Sequence, residues 1–179
     1  REDLLSERFS ALLQSITGLD VFIDPDFHGG GMHSGGRGSF LDMHADFNTH
    51  PDHPDWLREL NILLYLNDGW LPGFGGELQL RHKETGVERT IKPVFNRCVI
   101  MLTKAHTLHG YREISFPDGM YRRSIASYAY SLGAGEAPTH RSTTWYPEDG
   151  RSKQLLGRAW PRLVAVKTRL FGSATSRDR

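Results

Sequence analysis

The sequence has 179 residues, of which 38% are hydrophobic and 24% charged, and its formal net charge is +1. This length and balance predict one soluble globular domain with a sizeable core, and they exclude two ordinary domains. No stretch approaches the roughly 18 consecutive apolar residues of a membrane-spanning helix, so no such helix is expected in this sequence.

The first segment, "EDLLSERFSALLQSITG", predicts an amphipathic helix that ends at Gly18 and packs one face on a larger body. Its apolar residues recur at helical spacing: Leu4, Leu5, Phe9, Leu12, Leu13 and Ile16. The charged start of the chain is not the pattern of a signal peptide. After the helix, "DVFI" is a candidate short strand, and the glycine-rich stretch "DPDFHGGGMHSGGRGS" predicts a loop.

The middle of the chain predicts strands and turns. Turn signals such as "NDGWLPGFGG", "KETG" and "FPDG" separate the apolar runs. The predicted strands lie near residues 39–46, 61–67, 77–82, 89–94, 97–103 and 122–132. A helix followed by six or more short strands favours a mainly β fold with flanking helices, a sandwich or jelly roll.

The C-terminal segment is basic and has a helical period. Residues 151–179 contain eight Lys or Arg and one acidic residue, so they carry +7 and the rest of the chain −6. We therefore divide the chain into a core with the N-terminal helix, residues 1–135, and a basic helical extension of the same domain, residues 136–179. Such a helix usually packs on its own sheet with its charges in water, so neither nucleic acid nor a membrane is an expected partner, and a homodimer stays open.

The single cysteine, Cys98, rules out an internal disulfide. This fits a reducing compartment, and the cytoplasm is the predicted location. Because Cys98 lies in the apolar run "NRCVIML", we expect it to be a small buried residue.

The first chemical signal lies in "FLDMHADFNTH", where His44 and Asp46 are two residues apart in a predicted strand and therefore share a face. An imidazole and a carboxylate placed so are either a buried hydrogen-bonded pair or two ligands of one metal ion. His109, 63 residues after Asp46, follows the apolar run "CVIML", and His106 competes with it. Two histidines and one carboxylate form the facial triad of non-haem Fe(II) oxygenases, which leaves coordination positions open.

The other histidines lie in less informative surroundings. His28 and His33 lie in the glycine loop and could line the mouth of a site. His50 and His53 lie in "THPDHPDW", where the prolines predict a surface loop.

The segment "RRSIASYAY" opens an apolar strand with arginine, which is costly to bury unless the guanidinium meets a carboxylate. The planar fork of arginine suits bidentate capture of such a group. 2-Oxoglutarate offers one, because its keto-acid end chelates iron and its distal carboxylate needs a cation. Strand parity places Arg122 and Arg123 on opposite faces, so only one of them can serve.

With these residues, the sequence resembles the 2-oxoglutarate- and Fe(II)-dependent dioxygenases of the prolyl 4-hydroxylase-like superfamily. The resemblance covers about residues 28–131 and rests on six segments: "GRGSFLDMHADFN", "LNILLYLNDGW", "GGELQL", "IKPVFNRCVIM", "HTLHGY" and "RRSIASYAY". It implies a double-stranded β-helix, the cupin-like jelly roll, with Fe(II) held by His44, Asp46 and His109. It also implies 2-oxoglutarate and O2 as cosubstrates, with ascorbate as a further candidate cofactor.

The same resemblance implies roles for two more residues. The family pattern in "RRSIASYAY" makes Arg122 the cosubstrate anchor. Tyr65 matches a tyrosine that hydrogen-bonds the same distal carboxylate in related enzymes, and a plain core aromatic is the alternative for it.

The implied reaction is hydroxylation of an unactivated C–H bond in a small molecule or in a peptidyl or amino-acid substrate, with release of succinate and CO2. Related halogenases carry Gly or Ala where this chain has Asp46, so the carboxylate favours hydroxylation. Desaturation and ring closure use the same oxidant and stay open. Two other classes stay open as well: a metal-dependent hydrolase or cupin-like enzyme, and a non-catalytic binding module with a basic tail.

Overall fold

A computed structural model describes residues 1–133 and 139–147. Of the predicted helical extension, residues 136–179, only 139–147 lie within these ranges, and they contain a short strand and no helix; the basic segment 151–179 lies outside the described residues. Within them, the chain forms one helix and ten strands. In chain order they are α1 (Glu7–Thr17), β1 (Phe22–Ile23), β2 (Gly31–Gly35), β3 (Leu41–Ala45), β4 (Trp56–Tyr65), β5 (Leu78–His82), β6 (Glu88–Ile91), β7 (Cys98–Leu102), β8 (Thr107–Tyr111), β9 (Arg122–Leu132) and β10 (Thr144–Trp145).

The strands form two five-stranded sheets in which every pairing is antiparallel. The first sheet has the order β1-β9-β4-β7, and β2 also pairs with β9; the second has the order β10-β3-β8-β5-β6. From β3 onward the chain passes repeatedly from one sheet to the other, which is the connectivity of a jelly roll. The prediction of a mainly β, double-stranded β-helix with a flanking helix is therefore confirmed.

The two faces of the central strand β4 contribute to two separate hydrophobic cores, because successive side chains point to opposite faces. Leu60 and Ile62 pack against α1 through Leu13. Leu63 and Tyr65 pack against the second sheet through Leu78. The nearly continuous apolar run in β4 follows from this position, because both faces of the strand are covered.

Helix α1 ends where the sequence predicts but begins later than predicted. Ser6 is the N-cap and its side chain accepts a hydrogen bond from the backbone N–H of Phe9, so the helix starts at Glu7, after the predicted Leu4 and Leu5. Gly18 ends the helix in the left-handed conformation. Among the described residues, no helix has the length and apolar composition needed to cross a membrane.

Three local predictions are wrong. The glycine-rich stretch contains the strand β2, which pairs with β9 over five residues. Cys98 is exposed, although it opens an apolar strand. His50 lies in the loop that the prolines predict but is only 4% exposed, because its ring packs against Trp56 and Tyr130 beside Asp24.

Candidate metal and cosubstrate site

The second sheet places two distant histidines opposite each other. His44 on β3 pairs directly with His109 on β8, and the register shifts between Leu41 and His44, which is the signature of a β-bulge. The shift needs close backbone approach, since a Cβ on Gly110 would lie 3.0 Å from the carbonyl oxygen of Asp42. Directly opposed residues in an antiparallel pair point to the same side, so the bulge and Gly110 together bring the two imidazoles close, with 4.2 Å between ring centroids and 49° between ring planes.

Asp46 completes the group just after β3 ends. Its Oδ1 lies 3.4 Å from His44 Nε2 and its Oδ2 lies 3.7 Å from His109 Nε2, and all three side chains are buried. One ligand atom from each residue lies within 4.8 Å of the other two. Among the described residues, this is the group of His, Cys, Asp and Glu side chains with the spacing of a metal site.

The protonation of these residues suits metal ligation. His44 Nδ1 lies 2.9 Å from the carbonyl oxygen of Asp42, which can only accept, so Nδ1 carries a proton and Nε2 faces Asp46. Burial lowers the pKa of His109 to about 4, which keeps its ring neutral at pH 7. Burial opposes ionisation of Asp46, but the adjacent His44 ring and the positive charge of Arg58 outweigh burial and hold the pKa of Asp46 well below its usual range. Two imidazole nitrogens and a carboxylate oxygen are the donor set of non-haem Fe(II) sites, so the residues fit that metal.

The competing histidine takes no part in this group. The ring of His106 stacks on that of His82, with 4.6 Å between centroids. The structure thus brings His44, Asp46 and His109 together, as expected from the sequence, and leaves His106 outside.

Residues 139–147 support the group of His44, Asp46 and His109 from one side. Trp145 on β10 pairs with His44 on β3, and its ring stacks on the imidazole with 4.6 Å between centroids. Arg141 donates a hydrogen bond of 3.0 Å to the carbonyl oxygen of Asp46. We did not expect either residue from the sequence, because nothing in "RSTTWYP" indicates a strand that returns to β3.

A cavity of about 280 Å³ joins the three residues to Arg122. Arg122 is buried, and it donates hydrogen bonds to the carbonyl oxygen of Gly76 (2.7 Å) and to the hydroxyl of Tyr65 (3.0 Å). A Cβ on Gly76 would lie 3.0 Å from Arg122 Cδ, so this glycine makes room for the arginine. His33 on β2 also lines the cavity, as expected for a residue at the mouth of a site.

The two arginines differ as strand parity requires. Arg123 is exposed and its guanidinium lies over the ring of Tyr121, while that of Arg122 lies 4.1 Å from the centroid of Tyr111. Among the residues that the structure describes, Arg122 has no ion pair with a carboxylate, although it is buried. A buried cation without an anion is costly, so this cavity is suited to a ligand with a negative charge.

Comparison with known proteins points to one family. The model of the 2OG-Fe(II) oxygenase superfamily matches residues 30–130. No curated protein matches the chain.

Several solved structures are similar to the chain at low identity. They include a Pseudomonas putida prolyl-4-hydroxylase, with 22% identity and a TM-score of 0.49 over 76% of this chain and 67% of that one. A prolyl hydroxylase from Trichoplax adhaerens, solved with a hypoxia inducible factor oxygen degradation domain peptide fragment, has 20% identity and a TM-score of 0.46 over 68% of this chain. A prolyl 4-hydroxylase from Phytophthora capsici has 21% identity and a TM-score of 0.47 over 74% of this chain. The matches span 54% and 42% of the length of the last two.

Proposed function

Because the chain belongs to the 2OG-Fe(II) oxygenase superfamily, we propose that it is a dioxygenase that hydroxylates an unactivated C–H bond with Fe(II), 2-oxoglutarate and O2. One oxygen atom of O2 enters the product hydroxyl and the other enters succinate, while 2-oxoglutarate loses CO2. The observation that carries this proposal is the convergence of His44, Asp46 and His109 in one buried cavity with Arg122.

His44, Asp46 and His109 are the proposed ligands of the metal. Bound Fe(II) would supply the redox chemistry, and three protein ligands would leave positions for the cosubstrate and O2. The protein itself orients two of these ligands: the carbonyl oxygen of Asp42 orients His44, and the β3–β8 pairing orients His109 relative to it. Contacts that fix the orientation of metal ligands in this way support metal affinity.

Arg122 and Tyr65 are the proposed holders of the distal carboxylate of 2-oxoglutarate. Arg122 uses Nε and one N–H of its NH2 group on Gly76 and Tyr65, so other guanidinium N–H groups stay available. Burial raises the pKa of Tyr65, so its hydroxyl stays protonated. Since that hydroxyl accepts from Arg122, its own proton is available for a second acceptor, and a carboxylate oxygen fits that role.

Anaerobic titration of the iron-loaded protein with 2-oxoglutarate tests the proposal. We expect the weak visible charge-transfer band of an Fe(II)–keto-acid chelate, and we expect Asp46→Ala and His109→Ala each to abolish it. His106→Ala is the matched control and should keep the band, because His106 lies outside the group. Absence of the band in the wild-type protein would contradict the proposal.

Oxygen consumption separates this proposal from a metal-dependent hydrolase. A dioxygenase consumes O2 and forms succinate only when 2-oxoglutarate is present, whereas a hydrolase needs neither. Metal-assisted hydrolysis does not itself require a buried arginine, whereas a keto-diacid cosubstrate needs a cation for its distal carboxylate, so the 280 Å³ cavity that contains Arg122 favours the dioxygenase.

Substrate, assembly and location are also proposals. The substrate is a small molecule or a peptidyl or amino-acid residue that presents an unactivated C–H bond to the cavity. The cytoplasm is the proposed location, since a chain with one cysteine forms no internal disulfide. A homodimer is the proposed assembly if the chain associates at all.

A further inference from the structure

The metal-ligand carboxylate Asp46 is held by two buried side chains of β4 that have no role in the site described so far. Arg58 NH1 lies 3.6 Å from Asp46 Oδ2, and Asn61 donates a hydrogen bond of 3.3 Å from Nδ2 to the same oxygen. Arg58 is 2% exposed and Asn61 is 4% exposed. Both contacts converge on Oδ2, and Oδ1 faces His44.

A bulge in β4 makes this convergence possible. In a regular strand, residues three apart point to opposite faces, so Arg58 and Asn61 could not reach the same carboxylate. The register against β9 shifts between them: Arg58 pairs with Tyr130 and Leu60 pairs with Ala129, so β4 holds one extra residue, Glu59. The extra residue reverses the parity and places both side chains on the face that lines the site.

Arg58 is fixed independently of Asp46. Its guanidinium lies between the rings of Phe47 and Tyr128, at 3.5 and 3.6 Å from their centroids, and it donates to the hydroxyl of Tyr130 at 3.2 Å. A planar cation between two aromatic faces has little freedom to move. The Arg58 guanidinium is therefore a rigid support for the carboxylate that it faces.

The orientation of Asn61 lowers the stability of the fold, which is not expected of a residue with only a structural role. An ionised carboxylate only accepts hydrogen bonds, so the amide nitrogen of Asn61 must face Asp46. Within residues 1–133 and 139–147, this orientation leaves Asn61 Oδ1 buried without a hydrogen-bond partner. An unpaired buried acceptor destabilises a fold, so Asn61 at this position lowers stability where an apolar residue of similar size would not.

We propose that Arg58 and Asn61 are positioning residues that fix the Asp46 carboxylate by its Oδ2 and thereby set the affinity of the metal site. This inference rests on the proposed function, because it assigns Asp46 as a ligand. Outer residues that orient a metal ligand typically contribute about 10- to 100-fold to metal affinity. The two side chains act on metal binding through Asp46, and Asn61 also lines the cavity that contains the three proposed ligands.

Metal titration of the full-length protein tests the inference, with Co(II) as the probe because its visible absorption reports its ligands. We expect Asn61→Leu to weaken Co(II) binding by about 10- to 100-fold and to leave the unfolding temperature of the metal-free protein unchanged or higher. Asn67→Leu is the matched control: Asn67 is also buried, but it bonds Pro93 and Arg123. That variant should lower the unfolding temperature and keep the Co(II) affinity of the wild type.

The Arg58→Lys variant tests whether Co(II) binding depends on the fixed position of the guanidinium or only on its positive charge. Lysine keeps the positive charge but lacks the planar group that fits between Phe47 and Tyr128, so we expect at least tenfold weaker Co(II) binding if position matters. Equal Co(II) affinity in wild type, Asn61→Leu and Arg58→Lys would overturn the inference and leave the proposed function intact. A wild-type protein that binds no Co(II) would overturn both. A lower unfolding temperature of Asn61→Leu with unchanged affinity would show a merely structural role and also overturn the inference.

Discussion

Replacing Arg122 by methionine is the most direct perturbation of the proposed cosubstrate site. Methionine has a similar length and fills the space beside Gly76 and Tyr65, but it removes every N–H donor of the guanidinium. The guanidinium donates to these two residues and has no carboxylate partner among the described residues. The substitution therefore removes the cation that the distal carboxylate of 2-oxoglutarate would meet.

The magnitude follows from the number of hydrogen bonds that are lost. A hydrogen bond to a charged group contributes about 1.5–3 kcal/mol, and a bidentate contact contains two. Loss of one partner of a buried charged pair costs about 2–5 kcal/mol in measured interfaces. We take about 3–4 kcal/mol, which corresponds to roughly 200- to 900-fold weaker binding at 1.36 kcal/mol for each factor of ten.

Calorimetric titration of 2-oxoglutarate into the Co(II)-loaded protein measures this affinity without turnover. Arg123→Met is the matched control, since Arg123 is adjacent in sequence, exposed and on the opposite face of β9. We expect it to change the affinity by less than about threefold, as for other exposed charges. Equal losses in the two variants, or no loss in Arg122→Met, would refute the assignment of the buried arginine as the anchor.

Three further substitutions test the surroundings of the site. Tyr65→Phe removes one neutral donor, and we expect about tenfold weaker 2-oxoglutarate binding by calorimetry, from about 1–1.5 kcal/mol; an unchanged affinity would make Tyr65 a core aromatic only. Gly76→Ala places a Cβ 3.0 Å from Arg122 Cδ at a φ of +73°, so we expect a lower unfolding temperature and weaker 2-oxoglutarate binding together; a loss in neither would show that Arg122 has room to move. Trp145→Ala removes the ring that stacks on His44, and we expect Co(II) binding to weaken by up to about tenfold; a wild-type affinity would show that β3 and β8 suffice to hold the imidazole.

The sequence was sufficient for the residues whose position depends on local parity. His44 and Asp46 share a face because they are two apart, and Arg122 and Arg123 are separated for the same reason. These inferences need only the period of a strand and the cost of a buried charge. The apolar run before His109 predicted that a strand ends near this residue, but β7 ends at Leu102 and His109 lies within the next strand, β8, of the other sheet.

Where a β-bulge decides to which face of the sheet a side chain points, the alternation along the strand could not predict it. Regular alternation in "WLRELNILLY" places Arg58 and Asn61 on opposite faces, and only the bulge at Glu59, visible in the pairing with β9, places them together. The bulge in β3 that aligns His44 with His109 is equally absent from the local pattern.

Contacts between distant parts of the chain also gave structures that local composition did not predict. Glycines are typical of loops, yet Gly31–Gly35 is a strand because β9 offers it an unpaired edge. His50 directly precedes a proline in a predicted surface loop, but it is buried beside Asp24, far earlier in the chain, which lies 3.3 Å from its Nε2. Neither partner is visible within a window of sequence around the residue.

The pairing of β10 with β3 has a consequence for the order in which the protein matures. His44 leaves the ribosome long before Trp145, and the ring that stacks on it is made about 100 residues later, which at typical synthesis rates is a delay of about 5–20 s. During that interval His44 and Asp46 exist without this aromatic neighbour. A polypeptide that ends before residue 139 would therefore contain every proposed ligand but lack the ring that covers one side of His44.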